Sequence, residues 1–391
     1  MAKNFKRKKF KFAPRFFIII AVFLLLLIFL LFKYKSSKDI EFSDPLPESY
    51  MKKDLDVLID LVEESYMNLP ETLRYNNLDF IKSKSNFKRL ISSKNTDSGF
   101  TGQNAVDTFN EILSNLYDKN VSVVGKNEYM ELVKNKLPVS NERMATLRYK
   151  NIAEQEEYDS YSAFEVEDFD GGLYVKVKEF NKSDLKKESE IFRKILEDNE
   201  DRENLIIDLR DNDSDNPAYA IRVIMDNINT KNARANFYLA GKTKPVITKD
   251  LSDLGISSKV IAYEDSDLKI KDYDKDPSYL INFSLDLKDK GVAYDRVFIL
   301  QNSKTKNSAD LICQAAKDTG FAKTVGENTA GYGGNLDSQY HLLPYTGLII
   351  KMPLGTGINP DGTSNEDVGT SPDIQMSDGD SMAYNLLNSI K

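Results

Sequence analysis

GLYVKVKEF (172–180), a charged stretch over 183–199, and NLIIDLR (204–210) decide the fold class of this chain. In the first, Leu173, Val175 and Val177 alternate with Tyr174, Lys176 and Lys178, the period of two that a strand presents. The last is a short apolar run, as expected of a strand buried on both faces. Strand, helix and strand in that order predict a parallel crossover and an α/β core. Downstream, 296–300 reads as another buried strand, and Ser308 opens a helix that should stop at Gly320, a favourable C-cap. A helix from Pro217 toward Met225 and strands at 323–325, 339–343 and 347–352 complete the expected core, with a turn at Pro360-Asp361-Gly362.

Upstream the period changes to that of helices. Leu55, Leu58, Ile59 and Val62 form one stripe, and Ala105, Phe109, Ile112, Leu113 and Leu116 another, so 50–150 is expected to be a helical domain ahead of an α/β domain at 165–391. Farther back, Phe16 to Phe32 is apolar and uncharged without interruption, about 26 Å of helix at ~1.5 Å per residue. Lys3, Lys6, Arg7, Lys8, Lys9, Lys11 and Arg15 precede it, and only Lys33, Lys35 and Lys38 follow closely. The positive-inside rule therefore predicts a cytoplasmic tail (1–15), a transmembrane helix (16–34), a linker (35–49) and an outward-facing bulk: a single-pass protein of the cell membrane. The run ends Leu-Leu-Phe-Lys-Tyr-Lys, without the small residues of a cleavage site, so it reads as an uncleaved anchor.

Charge and cysteine usage narrow the function classes. The net charge of −8 becomes −17 once the nine basic residues up to Lys35 are set aside, which argues against nucleic-acid binding. Cys313 is the single cysteine, so no internal disulfide can form, and its place in a helix reads as a small buried hydrophobe. Asp211, Asp213 and Asp215 resemble the start of a calcium loop but lack its later glycine and glutamate, so they read as a solvated acidic turn. No metal or cofactor is expected.

An ordered set of motifs points further. Ile206-Ile207-Asp208-Leu209-Arg210, Phe298-Ile299-Leu300, Asn307-Ser308-Ala309-Asp310, Val325-Gly326-Glu327-Asn328-Thr329-Ala330-Gly331, Asn359-Pro360-Asp361-Gly362 and Val368-Gly369-Thr370-Ser371-Pro372-Asp373-Ile374 resemble, in order and spacing, the tail-specific or C-terminal-processing serine peptidases. The resemblance implies a crotonase-like α/β core, peptide-bond hydrolysis, and partners that are extended peptides or protein C-termini. By the same resemblance Ser308 stands at the nucleophile's position and Glu366 at that of the orienting carboxylate in the tricorn-like branch. That branch's histidine falls on Asn120, within Leu116-Tyr117-Asp118-Lys119-Asn120-Val121. The lysine used by the other branch would fall near Gly331-Tyr332-Gly333-Gly334, where there is none.

An oxyanion donor is expected from the Ala309 N–H, at the positive end of a helix, and the resemblance implies a second, the Asp213 N–H, in the turn after Arg210. That turn, Asp211 to Asp215, lacks the family's glycines and adds three carboxylates. A carboxamide cannot take the serine proton near neutral pH, and losing a triad base costs on the order of 10⁴ to 10⁶ in rate. Two outcomes stay open: a silent, peptide-binding member of the fold, or an active serine peptidase with Lys119 or His341, the only histidine, as an unconventional base. A generic envelope scaffold or solute binder is the third, blander alternative.

Overall fold

A computed structural model describes residues 45–154, 163–169, 172–180, 184–248, 251–271, 276–379 and 381–390. The apolar run at 16–32, and with it the expected anchor, lies outside them. Among the described residues no helix is long and apolar enough to cross a membrane.

The N-terminal part contains helices α1 (Glu48–Ser65), α2 (Leu69–Asn76), α3 (Lys84–Lys94) and α4 (Gly102–Leu113), the short strand β1 (Ser122–Val123), then α5 (Lys126–Lys134) and α6 (Arg143–Tyr149). The α1 stripe of Met51, Leu55, Leu58, Ile59 and Val62 is buried, and Thr101 caps α4 by accepting the Asn104 N–H at 3.2 Å. The α/β part follows with β2 (Phe164–Phe169), β3 (Gly172–Val177), α7 (Leu185–Glu197), β4 (Asn204–Asp208), β5 (Arg234–Gly241), β6 (Ile256–Ala262), β7 (Tyr279–Asp286) and β8 (Arg296–Gln301). After these come α8 (Ser308–Thr319), β9 (Lys323–Gly326), β10 (Ser338–Leu342), β11 (Ile349–Pro353), β12 (Thr356–Ile358), β13 (Ile374–Gln375) and α9 (Met382–Ile390).

The main sheet runs β13-β9-β8-β4-β3-β2, parallel at each pairing except β2 with β3. Leu205, Ile207 and Ile299 face one layer with Phe192 of α7 and Leu311 and Ile312 of α8; Ile206, Phe298 and Leu300 face the other with Met382 and Leu386 of α9. Both faces are covered, which is why β4 reads as a continuous apolar run. Cys313 is buried in the first layer and burial pushes its thiol pKa well up. A second, antiparallel sheet, β12-β5-β7-β6, packs Phe237, Leu239, Ile281 and Phe283 onto the same core.

Two expectations change. The helix from Pro217 is one α-turn (Pro217–Tyr219) that widens into a π-turn over Ala220–Ile224 and closes as a 3₁₀ turn at Met225–Asn227, where Asn227 Nδ2 donates to Val223 O (2.8 Å). The division at 165 is also not a clean boundary. β10 and β11 leave the α/β part, pair with β1 in a third sheet, and bury Leu343, Leu348, Ile349, Ile350 and Met352 among the helices. Asp54 of α1 fastens this excursion by accepting the Tyr345 and Thr346 N–H groups (3.0 and 2.6 Å).

Candidate functional site

The site is built where β8 turns into α8. Asn302 folds this link by accepting from the N–H groups of Lys304 and Thr305, and Thr305 Oγ1 donates to Leu209 O (2.9 Å), tying it to the end of β4. Asn307 then has φ +54° and ψ −124°, a left-handed backbone costly for a residue with a Cβ, and Ser308 begins the helix. Ser308 is 2% exposed, and its hydroxyl has no hydrogen-bond partner among the described residues. Behind it the buried Asp310 accepts from Thr329 Oγ1 (2.5 Å), Gly333 N (3.0 Å) and Gln314 Nε2 (2.7 Å), drawing the 329–334 loop onto α8. The approach is so close that a Cβ on Gly333 would stand 2.5 Å from Leu311 N.

The glycine-free turn forms, by other means than glycine. Asp211 takes the left-handed conformation (φ +64°), and Asn212 Oδ1 accepts the Ser214 N–H at 3.1 Å in an Asx turn. Its polarity differs from the expectation for Asp213. Three successive carbonyls face the serine segment: Asn212 O accepts from Lys306 N (2.9 Å), Asp213 O from Asn307 Nδ2 (2.9 Å) and Ser214 O from Ser308 N (3.0 Å). The Ala309 N–H is also engaged, by Lys306 O at 3.2 Å. A nascent oxyanion here would meet lone pairs on one side and an occupied donor on the other. The three carboxylates diverge, Asp211 to Lys304 (3.1 Å), Asp213 to Lys119 (2.7 Å) and Asp215 to Lys351 (3.7 Å), and do not converge on a common point.

Asn120 reaches this constellation. Its Nδ2 donates to Asn307 Oδ1 at 3.3 Å, one residue from Ser308, and its N–H donates to the buried Asp118 (2.9 Å), which also accepts from Tyr66 Oη (3.0 Å). Burial raises the Asp118 pKa against these donors. Glu366, in a short helix over Asn365–Val368, accepts from Gly357 N (2.7 Å), Thr356 Oγ1 (2.6 Å), Asn335 Nδ2 (3.0 Å) and Ser364 Oγ (3.3 Å). Its lone pairs are committed to neutral donors that hold the start of β12.

Neither alternative base has the required surroundings. The Lys119 side chain is 77% exposed and its ammonium is paired with Asp213 at 2.7 Å. His341 lies on β10, opposite Ile350, with Nε2 3.1 Å from Gln339 Oε1. It lines a cavity of about 370 Å³ with Val57, Leu61 and Tyr340, and burial lowers its pKa; neither Ser308 nor Glu366 is among its contacts or that lining.

Sequence reasoning missed Lys306, two residues before Ser308. Its ammonium is 4.2 Å from the Tyr332 ring centroid, and burial lowers its pKa while Asp118, Asp213 and Glu366 oppose that shift. Its spacing from Ser308 was visible; the burial and the carboxylates around it were not.

The model of Peptidase family S41 matches residues 172–376, just over half of the chain. The chain belongs to this family. The match begins at β3 and ends just past β13, so it takes in Ser308, Glu366 and the carbonyl-lined turn. A search of curated proteins returns no match. Among solved structures, mature CPAF complexed with lactacystin is similar in fold (TM-score 0.50, 12% identity, 88% of this chain and 97% of that one). A lipoprotein from Streptococcus agalactiae (TM-score 0.49, 17% identity, 90% and 98%) and a photosystem II D1 C-terminal processing protease (TM-score 0.43, 12% identity, 83% and 92%) are more distantly superposable. The helices before β2 are thus covered along with the S41 core in a neighbour of the same fold.

Proposed function

We propose that this S41 chain is a membrane-anchored, outward-facing peptide-binding protein that no longer cleaves its ligand. One observation supports the reading: the side chain that reaches the serine segment from 116–121 is the Asn120 carboxamide, bonded to Asn307, while the Ser308 and Ala309 N–H groups are already bonded to Ser214 O and Lys306 O. The hydroxyl has no acceptor for its proton, and developing charge has no free donor. An extended peptide would bind by adding to an open strand edge, using main-chain bonds that need no triad. The 16–34 run, with its basic flank, would hold the chain in the membrane with residue 45 onward outside.

The test is fluorophosphonate labelling of the full chain in detergent, beside binding of a fluorescent unstructured peptide. Peptide binding without labelling, and labelling gained in Asn120→His, is the expected result. Ser308-dependent labelling and cleavage by the unaltered protein would sink the proposal. Protease digestion of intact expressing cells should remove the domain and spare the tail.

A second reading is favoured by Lys306, whose pKa is lowered by burial beside the serine: an active enzyme with this amine as base. The same labelling experiment decides, because activity by this route vanishes in Lys306→Met and rises with pH as the amine deprotonates.

A further inference from the structure

A cavity of about 1050 Å³ lies away from Ser308. It lies between the outer face of the β12-β5-β7-β6 sheet, the C-terminal half of α8 and the 359–371 segment; Ser308, Asn120, Lys306 and Glu366 do not line it. Gln314, its first residue on α8, is about 9 Å along the helix from Ser308 at ~1.5 Å per residue.

Register explains its chemistry. Ile358 is opposite Tyr238, Tyr238 opposite Asn282, and Asn282 opposite Lys259, so one row across four strands, about 14 Å at ~4.8 Å per strand, carries an aliphatic group, a phenol, a carboxamide and an ammonium. Asn282 Oδ1, in this row, is buried and has no hydrogen-bond partner.

Much of the wall's charge is committed within the protein. Lys317 Nζ donates to Ser371 O and Oγ (both 2.6 Å), Asp318 accepts the Asn236 N–H (2.9 Å) and Asp361 holds Thr363. Four aspartates against two lysines in the lining disfavour an anion. Carboxamides and hydroxyls around an aromatic and aliphatic floor suit a ligand that is neutral, rich in hydroxyls and apolar on one ring face. A peptide is the poorer fit, because the row Ile358, Tyr238, Asn282 and Lys259 meets the cavity with side chains across the sheet face, whereas strand addition uses the main chain of an edge.

We propose that this cavity binds a neutral saccharide, independently of what happens at Ser308. The experiment is saturation-transfer NMR and calorimetry on the full chain in a detergent without a sugar headgroup, with chitotetraose, cellotetraose and maltotetraose as probes. Binding of at least one is expected, weakened at least about tenfold in Tyr238→Ala and in Asn282→Leu, and retained in Ser308→Ala. Unchanged melting temperatures in the first two variants distinguish a lost site from a lost fold. The proposal is overturned if none of the three binds, if both cavity variants bind as the parent does, or if an unstructured peptide competes for the same site.

Discussion

Replacing Asn307 with glycine and with alanine should reverse the usual order of these two residues. At φ +54°, ψ −124° the backbone carries about 1–3 kcal/mol of strain in any residue with a Cβ, which glycine does not feel. Against this, glycine loses about 0.4–1 kcal/mol to alanine through the entropy of the unfolded chain. Both variants forfeit the same side-chain bonds, Nδ2 to Asp213 O and Oδ1 from Asn120 Nδ2, so these cancel in the comparison. Asn307→Gly should therefore be the more stable by about 0.5–2 kcal/mol, and Asn307→Ala should fall below the parent by about 1–2 kcal/mol, the worth of the lost bonds. The assay is equilibrium urea denaturation of the full chain in detergent, followed by far-ultraviolet circular dichroism because the sequence has no tryptophan. Equal stabilities, or alanine above glycine at a common denaturant slope, would refute the strained link and the account of how Ser308 is presented.

Asp54 supplies a pH test. Its folded pKa, pushed up by burial to about 6 from an ordinary 3.8, means that the folded protein keeps a proton which the unfolded chain has released between those values. Its contribution is full below the unfolded value and is lost as pH rises through about 6, up to about 3 kcal/mol in all; the stability difference between parent and Asp54→Asn should shrink across that window, and a pH-independent difference would contradict it. In the main sheet, Asp208 is fully buried and accepts from Arg210 N and Nε (both 2.9 Å) and Tyr174 Oη (2.6 Å), so Asp208→Ala should cost about 3–5 kcal/mol by stranding a guanidinium. A loss below about 1 kcal/mol in thermal unfolding would show that Asp378 and Gly379 O, the other partners of Arg210, suffice to hold it.

The α/β core was legible because its strands carry their burial in their composition: Leu205, Ile206 and Ile207 of β4 are consecutive and apolar since layers cover both faces, and α8 stops at Gly320 because its left-handed φ of +72° suits glycine. The motif order marked the S41 family. Separately, the Asn120 amide is hydrogen-bonded to the residue before Ser308. The direction in which the peptide planes of 212–214 point was not legible, since Asp and Asn permit the turn without dictating which way its carbonyls face. Nor was the migration of β10 and β11, whose local sequence does not say which sheet they join.

What the sequence determined by itself is the inventory: a parallel core, a serine at a helix start, and a carboxamide at Asn120. Tertiary structure decided what each member faces. It turned three carbonyls toward Lys306, Asn307 and Ser308, committed Glu366 to four neutral donors, left Lys119 in solvent, and set Lys306 among carboxylates. Residue type and spacing fix what a group can donate or accept; its proton affinity and its partners depend on burial and on neighbours brought from far along the chain. Asn120 and Asn307, 187 positions apart in sequence and hydrogen-bonded in the fold, are the clearest instance.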